Sequence, residues 1–101
     1  MKIKIREFEE EDIPEIIGIL KLNNQYGHPE VDGPQAMKRV KACKAAIFLV
    51  CEVDGKVVGL VRGVYDGSRA IIHLLSVHPS YQGQGIGTAL EKRVLQQFLQ
   101  P

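Results

Sequence analysis

The chain has 101 residues, of which 45% are hydrophobic and 25% are charged, and its formal net charge is +1. This length allows one domain with one core, and the near-zero charge argues against a general polyanion binder such as a nucleic-acid-binding protein. The longest apolar run, Ala45 to Cys51, has the length of a strand and is too short to span a bilayer. The N-terminus alternates charged and apolar residues, whereas a signal peptide has a continuous apolar centre. We therefore expect a cytoplasmic protein with no nucleic-acid or membrane partner.

The cysteine content argues against both a disulfide framework and a zinc site. Only Cys43 and Cys51 are present, and each lies in an apolar stretch. A free cysteine in such a setting behaves as a small hydrophobic residue. We therefore expect both to be reduced and buried, and we expect no metal site.

A strand followed by a helix is predicted at the start of the chain. From Lys2 to Phe8 apolar and charged residues alternate, as in a half-buried strand. Acidic residues 9–12 then favour the N-terminus of a helix, and Pro14 must lie in its first turn. Apolar residues at helical spacing continue from there, and the helix should end near residues 22–25.

A loop and a second helix come next. The segment from Asn23 to Pro34 is rich in glycine, proline and asparagine, which predicts a loop. A short helix with modest amphipathic character is predicted from about Gly33 to Lys44.

Three strand-like runs then follow one another closely. They span Ala46 to Val53, Lys56 to Tyr65 and Arg69 to Val77, and Asp-Gly pairs at 54–55 and 66–67 mark the two turns between them. The third run is apolar on both faces, which is typical of a strand that is central in its sheet.

A glycine-rich turn follows the last of these strands and opens a helix from Gly85 to Leu99. Such a turn presents backbone N–H groups in a concave array, and the helix N-terminus adds partial positive charge. Together they bind phosphate without lysine or arginine. The same glycines would also suit a tight strand-to-helix turn with no ligand.

Three known phosphate-binding sequence patterns could apply to this turn. A P-loop requires Gly-Lys-Ser/Thr, which the chain does not contain. The dinucleotide fingerprint fails because Thr88 stands where its third glycine is needed, and an antiparallel meander precedes the turn. The pattern Gln/Arg-x-x-Gly-x-Gly/Ala is matched at every position by residues 82–87.

The longer segment is Val77-His78-Pro79-Ser80-Tyr81-Gln82-Gly83-Gln84-Gly85-Ile86-Gly87-Thr88-Ala89-Leu90. Together with the preceding order of strand, two helices and three strands, it resembles the pyrophosphate-binding motif of the GNAT-type N-acetyltransferases, which transfer an acetyl group from acetyl-CoA to an amine. The resemblance implies the GNAT-like acyl-CoA N-acyltransferase fold, of the α/β class (α+β by some schemes), with a mixed, mostly antiparallel sheet. It implies one such domain over residues 1–101.

The resemblance also implies where acetyl-CoA binds. The end of the fourth strand would pair with the pantetheine arm through Leu75, Ser76 and Val77, and the N–H of Val77 would donate to the acetyl oxygen. The pyrophosphate cradle would consist of Gln82, Gly83, Gln84, Gly85, Ile86, Gly87 and Thr88. Many relatives have arginine in place of Gln82, so this cradle would depend more on backbone N–H groups.

The catalytic residues are less clearly marked. Many relatives carry an acidic residue four positions before the valine, where this chain has His73. Histidine titrates near neutral pH and would serve as a general base, directly or through water; the alternative is a strand residue that makes one hydrogen bond. The resemblance also places the loop residues Tyr26, His28 and Glu30 beside the acceptor site, although any polar surface loop would have the same composition.

Family members usually add a fifth strand, a fourth helix and a closing hairpin after the cofactor-binding helix. The resemblance thus implies that this chain lacks that part, including the tyrosine proposed as general acid. The far side of the fourth strand would then have no partner, and we expect a second copy or a complementing chain to associate there. Two classes remain open: an acetyl-CoA-dependent N-acetyltransferase, and a non-catalytic CoA-binding or assembly module or remnant of the same fold.

Overall fold

A four-stranded sheet with helices on both faces forms the framework of the protein in this computed structural model, which describes residues 2–99. In chain order the elements are β1 (Ile3–Glu7), α1 (Ile13–Leu22), α2 (Pro29–Asp32), α3 (Pro34–Ala42), β2 (Ala46–Val53), β3 (Lys56–Tyr65), β4 (Ala70–Val77) and α4 (Ile86–Leu99). The strand order is β1-β2-β3-β4. The predicted fold class is confirmed; the sheet, expected to be mixed but mostly antiparallel, is antiparallel at each pairing in the described part of the chain.

The segment predicted as a loop between the first two helices contains an additional turn of helix, α2. Pro29 fixes the backbone at the first helical position, and Glu30 and Asp32 favour a helix N-terminus. The turn ends at Gly33, where a Cβ atom would lie 2.3 Å from the carbonyl oxygen of Pro29, so that only glycine fits. The predicted second helix is present as α3.

The two faces of the sheet carry separate cores. Helices α1 and α3 cover one face, where Ile16 and Leu20 pack with Phe48 of β2. Helix α4 covers the other face through Ile86, Leu90 and Val94. No helix within residues 2–99 has both the length and the hydropathy required to cross a membrane.

Gly59 of β3 sets the position of α4. A Cβ atom there would lie 3.2 Å from Cγ2 of Ile86 and 3.3 Å from Cδ1 of Leu90, so the absence of a side chain lets the first turns of α4 lie directly on the strand. Ile86 is the first residue of α4. The turn that precedes α4 is therefore anchored to the sheet.

The two cysteines differ in their exposure. Cys51 lies in β2 and is buried, as expected, and burial raises the pKa of its thiol. Cys43, which was also expected to be buried, is exposed. It follows the last residue of α3, in extended backbone, and so lies outside the apolar stripe of that helix.

An ion-pair network joins β1 to the start of α1. Arg6 donates to both carboxylate oxygens of Asp12, at 2.9 and 2.8 Å, and also to Glu52. The N–H of Glu9 donates to the same carboxylate at 2.8 Å. Burial alone would raise the pKa of Asp12, but these hydrogen bonds outweigh it and the pKa is lowered.

Replacement of Asp12 by asparagine is expected to reduce the free energy of unfolding by about 1.5–3 kcal/mol, because hydrogen bonds to a charged group are lost. A carboxyl whose pKa is lowered by folding stabilises the protein at neutral pH, and this contribution disappears as the pH falls below about 4. Urea unfolding at pH 7 and pH 3 measures both effects. The exposed Glu11→Gln variant, with the same change of charge, should unfold like the original protein. Equal losses in the two variants would contradict the role of this network.

Candidate functional site

The C-terminal half of β4 forms an open edge of the sheet. The N–H of His78 donates to the carbonyl of Val58 at 2.7 Å, which fixes the alternation of hydrogen bonds between β3 and β4. In that alternation the backbone groups of Leu75 and Val77 point away from β3, because residues of an antiparallel strand face its partner in turn. Their N–H and carbonyl groups therefore lie at the edge.

Side-chain amides donate hydrogen bonds to the backbone carbonyl groups at this edge. Asn23, at the end of α1, donates to the carbonyl of Val77 at 2.9 Å and to Oγ of Ser76 at 2.7 Å. Gln82 donates to the same Val77 carbonyl at 2.9 Å, and Gln25 approaches the carbonyl of Leu75 at 3.5 Å. The N–H groups of Leu75 and Val77 are left to face the edge.

A concave cradle of about 290 Å³ lies where β4 leads into α4. Its lining includes Val77, Gln82, Gly83, Gly85, Ile86, Gly87, Thr88 and Glu91. Gly83 and Gly85 have φ values of +77° and +87°, in the left-handed region, and open space surrounds both Cα atoms. Left-handed residues within a turn are a feature of backbone concavities that bind anions.

The predicted cofactor residues contribute to this region in different ways. Gln82 directs its side-chain amide to the end of β4, so that only its backbone is available to the cradle. Gln84 is exposed and is not part of the lining. Ser76 is buried, and its hydroxyl accepts from Asn23. Leu75 and Val77 pack their side chains on the α4 face of the sheet.

His73 lies at a β-bulge of β4. Arg62 is opposite Leu74 and Gly63 is opposite Ile72, so His73 is the extra residue between them. The bulge carries His73 to the wall of a second concavity, of about 350 Å³, on the α3 side of the sheet. This α3 cavity is also lined by Glu30, Arg39, Cys43, Arg62 and Gly63.

The three predicted loop residues do not form one group. Glu30 lines the α3 cavity together with His73. His28 is highly exposed, with Nδ1 at 3.5 Å from Oε1 of Glu30. Tyr26 instead packs against the core on the α1 face, and the ammonium of Lys21 lies 5.6 Å from its ring centre.

Sequence reasoning missed Asn23, Gln25 and Arg62. The two amides are ordinary loop residues in the sequence, and their contacts depend on how α1 packs against β4. Arg62 did carry a signal, because it is a charged residue within the apolar run of β3.

Replacement of Asn23 by alanine is expected to lower stability by about 1–3 kcal/mol, because the buried Ser76 hydroxyl loses its donor. If the cradle binds coenzyme A, as the resemblance implies, this substitution should also weaken that binding several-fold, because Asn23 no longer contacts both the end of β4 and Gln82 of the turn. Urea unfolding and calorimetric titration measure the two effects, with the exposed Gln35→Ala as control. A loss of stability with unchanged affinity would show that Asn23 has no part in positioning the site.

The chain belongs to the GNAT acetyltransferase family: the model for the "Acetyltransferase (GNAT) family" matches residues 14–101. The fold matches solved structures of such enzymes. The PaiA N-acetyltransferase from Thermoplasma acidophilum, in complex with coenzyme A, is 17% identical with a TM-score of 0.81, over 97% of this chain and 72% of that chain.

Two further structures are of enzymes whose names state their acceptors. An aminoglycoside 6′-N-acetyltransferase from Acinetobacter baumannii is 18% identical with a TM-score of 0.77, over 95% of this chain and 71% of that chain. The ribosomal-protein-S18-alanine N-acetyltransferase from Escherichia coli is 18% identical with a TM-score of 0.76, over 96% of this chain and 59% of that chain. At this level of identity the similarity concerns the fold.

Proposed function

We propose that the protein is an acetyl-CoA-dependent N-acetyltransferase, which transfers the acetyl group to a primary amine by direct attack on the thioester. The observation that carries this proposal is the position of Val77. Its N–H faces the open edge of β4, and the same residue lines the glycine cradle at the start of α4. One continuous surface thus offers a donor for an acyl oxygen and an anion-binding turn.

The residues present are suited to acetyl-CoA. The cradle is concave, and Gly83 and Gly85 place no side chain in it. The N–H groups of residues 83–88 would bind the pyrophosphate, and the edge at Leu75 and Val77 would bind the pantetheine arm. When bound, acetyl-CoA supplies the activated acyl group as a thioester.

Two groups of this chain would act in the transfer. The N–H of Val77 would donate to the acetyl oxygen as negative charge develops there, and a fixed backbone donor requires no reorganisation. Direct attack also requires that the amine lose a proton. We propose that His73 accepts this proton, directly or through water, from an amine bound in the α3 cavity, which Glu30 also lines and next to which His28 contacts Glu30.

We further propose that the first half of β4 associates with a strand from a second copy or from a complementing chain. The order of the sheet places β4 at an edge, and Ile71 is 55% exposed on it. An apolar strand edge favours pairing with another strand. Sedimentation that gives a stable monomer at micromolar concentration would contradict the association of two copies.

Calorimetric titration with acetyl-CoA tests the cofactor assignment, and we expect saturable binding at one site. A thiol-release assay with a panel of amines then tests the transfer. Binding with no release for any amine would favour the alternative, a non-catalytic module of the same fold. Absence of binding would overturn the cofactor assignment.

A further inference from the structure

Arg62 is a partly buried cation that the proposed reaction does not use. Its side chain is only 12% exposed and its guanidinium carbon lies 5.8 Å from the ring centre of Phe48. Within residues 2–99 its nearest carboxylate is that of Asp32, at 3.5 Å between Nη1 and Oδ1. A guanidinium has five N–H donors, and a single contact at that distance leaves most of them without an acceptor. Burial lowers the pKa of Arg62, although the charge of Asp32 opposes this.

The burial of such a charge is costly unless it is paired and hydrogen-bonded. Arg62 lines the α3 cavity, whose volume of about 350 Å³ suits a small molecule or the end of a larger one. Arg39 lines the same cavity, and its Nη2 donates a hydrogen bond to the carbonyl of Glu30 at 3.2 Å. The cavity is therefore lined by a guanidinium whose ion pair with Asp32 leaves N–H donors available to a ligand.

His73 and Arg62 face this cavity from neighbouring strands. Arg62 is paired with Leu74, and His73 immediately precedes Leu74 in β4, in the bulge. A molecule bound to the guanidinium therefore lies against the strand that carries the imidazole.

We propose that the α3 cavity selects an acceptor amine that also carries a carboxylate, which binds to Arg62 while the amine lies toward His73. This inference rests on the proposed function for the identity of the amine, but the carboxylate site does not depend on it. A guanidinium and a carboxylate form two parallel hydrogen bonds with matched single charges. A phosphate is less suited, because its second negative charge would be placed near Asp32 and Glu30.

Binding is tested with three pairs of amines, each a carboxylate and its carboxamide: alanine and alaninamide, β-alanine and β-alaninamide, 4-aminobutyrate and 4-aminobutyramide. The Nε–H resonance of Arg62 in NMR spectra reports binding without turnover. We expect at least one carboxylate to shift this resonance and its carboxamide to leave it unchanged. Arg62→Met keeps a side chain of similar length over Phe48 and should abolish carboxylate binding. Because this variant has no Nε–H group, binding is then followed by the backbone amide resonances of residues around the cavity.

A second variant is expected to strengthen binding and keeps the Arg62 side chain in place. Asp32→Asn removes the competing carboxylate, so the added carboxylates should bind several-fold more tightly. Equal shifts from carboxylate and carboxamide, or no shift from any of the six amines, would overturn the inference.

Turnover separates this inference from the proposed function. With acetyl-CoA present, we expect kcat/KM for the best carboxylate to exceed that for its carboxamide on the order of tenfold, a ratio that Arg62→Met should remove. Acetyl transfer to both members at the same rate would overturn the inference and leave the acetyltransferase function intact. Carboxylate binding with no transfer would support the carboxylate site and count against the acetyltransferase function.

Discussion

Replacement of Gly85 by alanine is expected to weaken coenzyme A binding on the order of 10- to 100-fold. Gly85 has a φ of +87°, where a side chain is strained by about 1–3 kcal/mol even though no atom lies within 4 Å of the position of its Cβ. The turn would relieve this strain by rotating, which moves N–H groups away from the pyrophosphate. The loss of one hydrogen bond to a charged group accounts for this decrease in affinity. Calorimetric titration with acetyl-CoA measures it.

Gly67→Ala is the matched control for this experiment. Gly67 has a φ of +99° and equally open surroundings, but it lies in the turn between β3 and β4, outside the cradle. Its replacement should lower stability to a similar extent and leave the affinity unchanged. A parallel loss of affinity in both variants would mean that general destabilisation, and not the cradle, determines binding.

Replacement of His73 by alanine is expected to lower kcat about a hundredfold, within the usual range for the loss of a general base. The affinity for acetyl-CoA should not change, because His73 lies on the α3 side of the sheet and is not part of the cradle. Added imidazole should restore part of the rate, since the α3 cavity is large enough to admit it.

The His73→Gln variant tests whether His73 acts through its basicity or only through its size and polarity. Glutamine is similar in polarity and size but does not accept a proton at neutral pH, so this variant should be nearly as slow as His73→Ala. If His73→Gln kept the full kcat, the histidine would have only the structural role of a strand residue with one hydrogen bond. A matching loss of acetyl-CoA affinity would also contradict the assignment.

The sequence predicted most of the fold because its signals are local. Alternating residues, Asp-Gly pairs and helical spacing placed the four strands and the long helices α1, α3 and α4 within a few residues of their positions. The short helix α2 was missed, because a single turn has too few residues for a periodic pattern. Exposure of Cys43 was missed because it depends on where α3 ends.

The site was predictable only where one continuous segment forms it. The cradle lies within residues 77–91, so its glycines could be recognised together. The amide contacts of Asn23 to β4 and the placement of Arg62 beside Asp32 join residues that are distant along the chain. Such contacts follow from the packing of α1 and α2 on the sheet, which no local pattern specifies.

The amide groups at the end of β4 also bear on aggregation. A bare strand edge recruits an identical edge from another molecule because it alternates donors with acceptors. Here Asn23 and Gln82 occupy the carbonyl of Val77, and Gln25 lies close to that of Leu75. An approaching strand would find donors and few acceptors along this stretch, whereas a ligand rich in carbonyl oxygens would be accommodated. The same side chains would thus keep the edge available to a small molecule while discouraging the edge-to-edge growth that leads to insoluble protein.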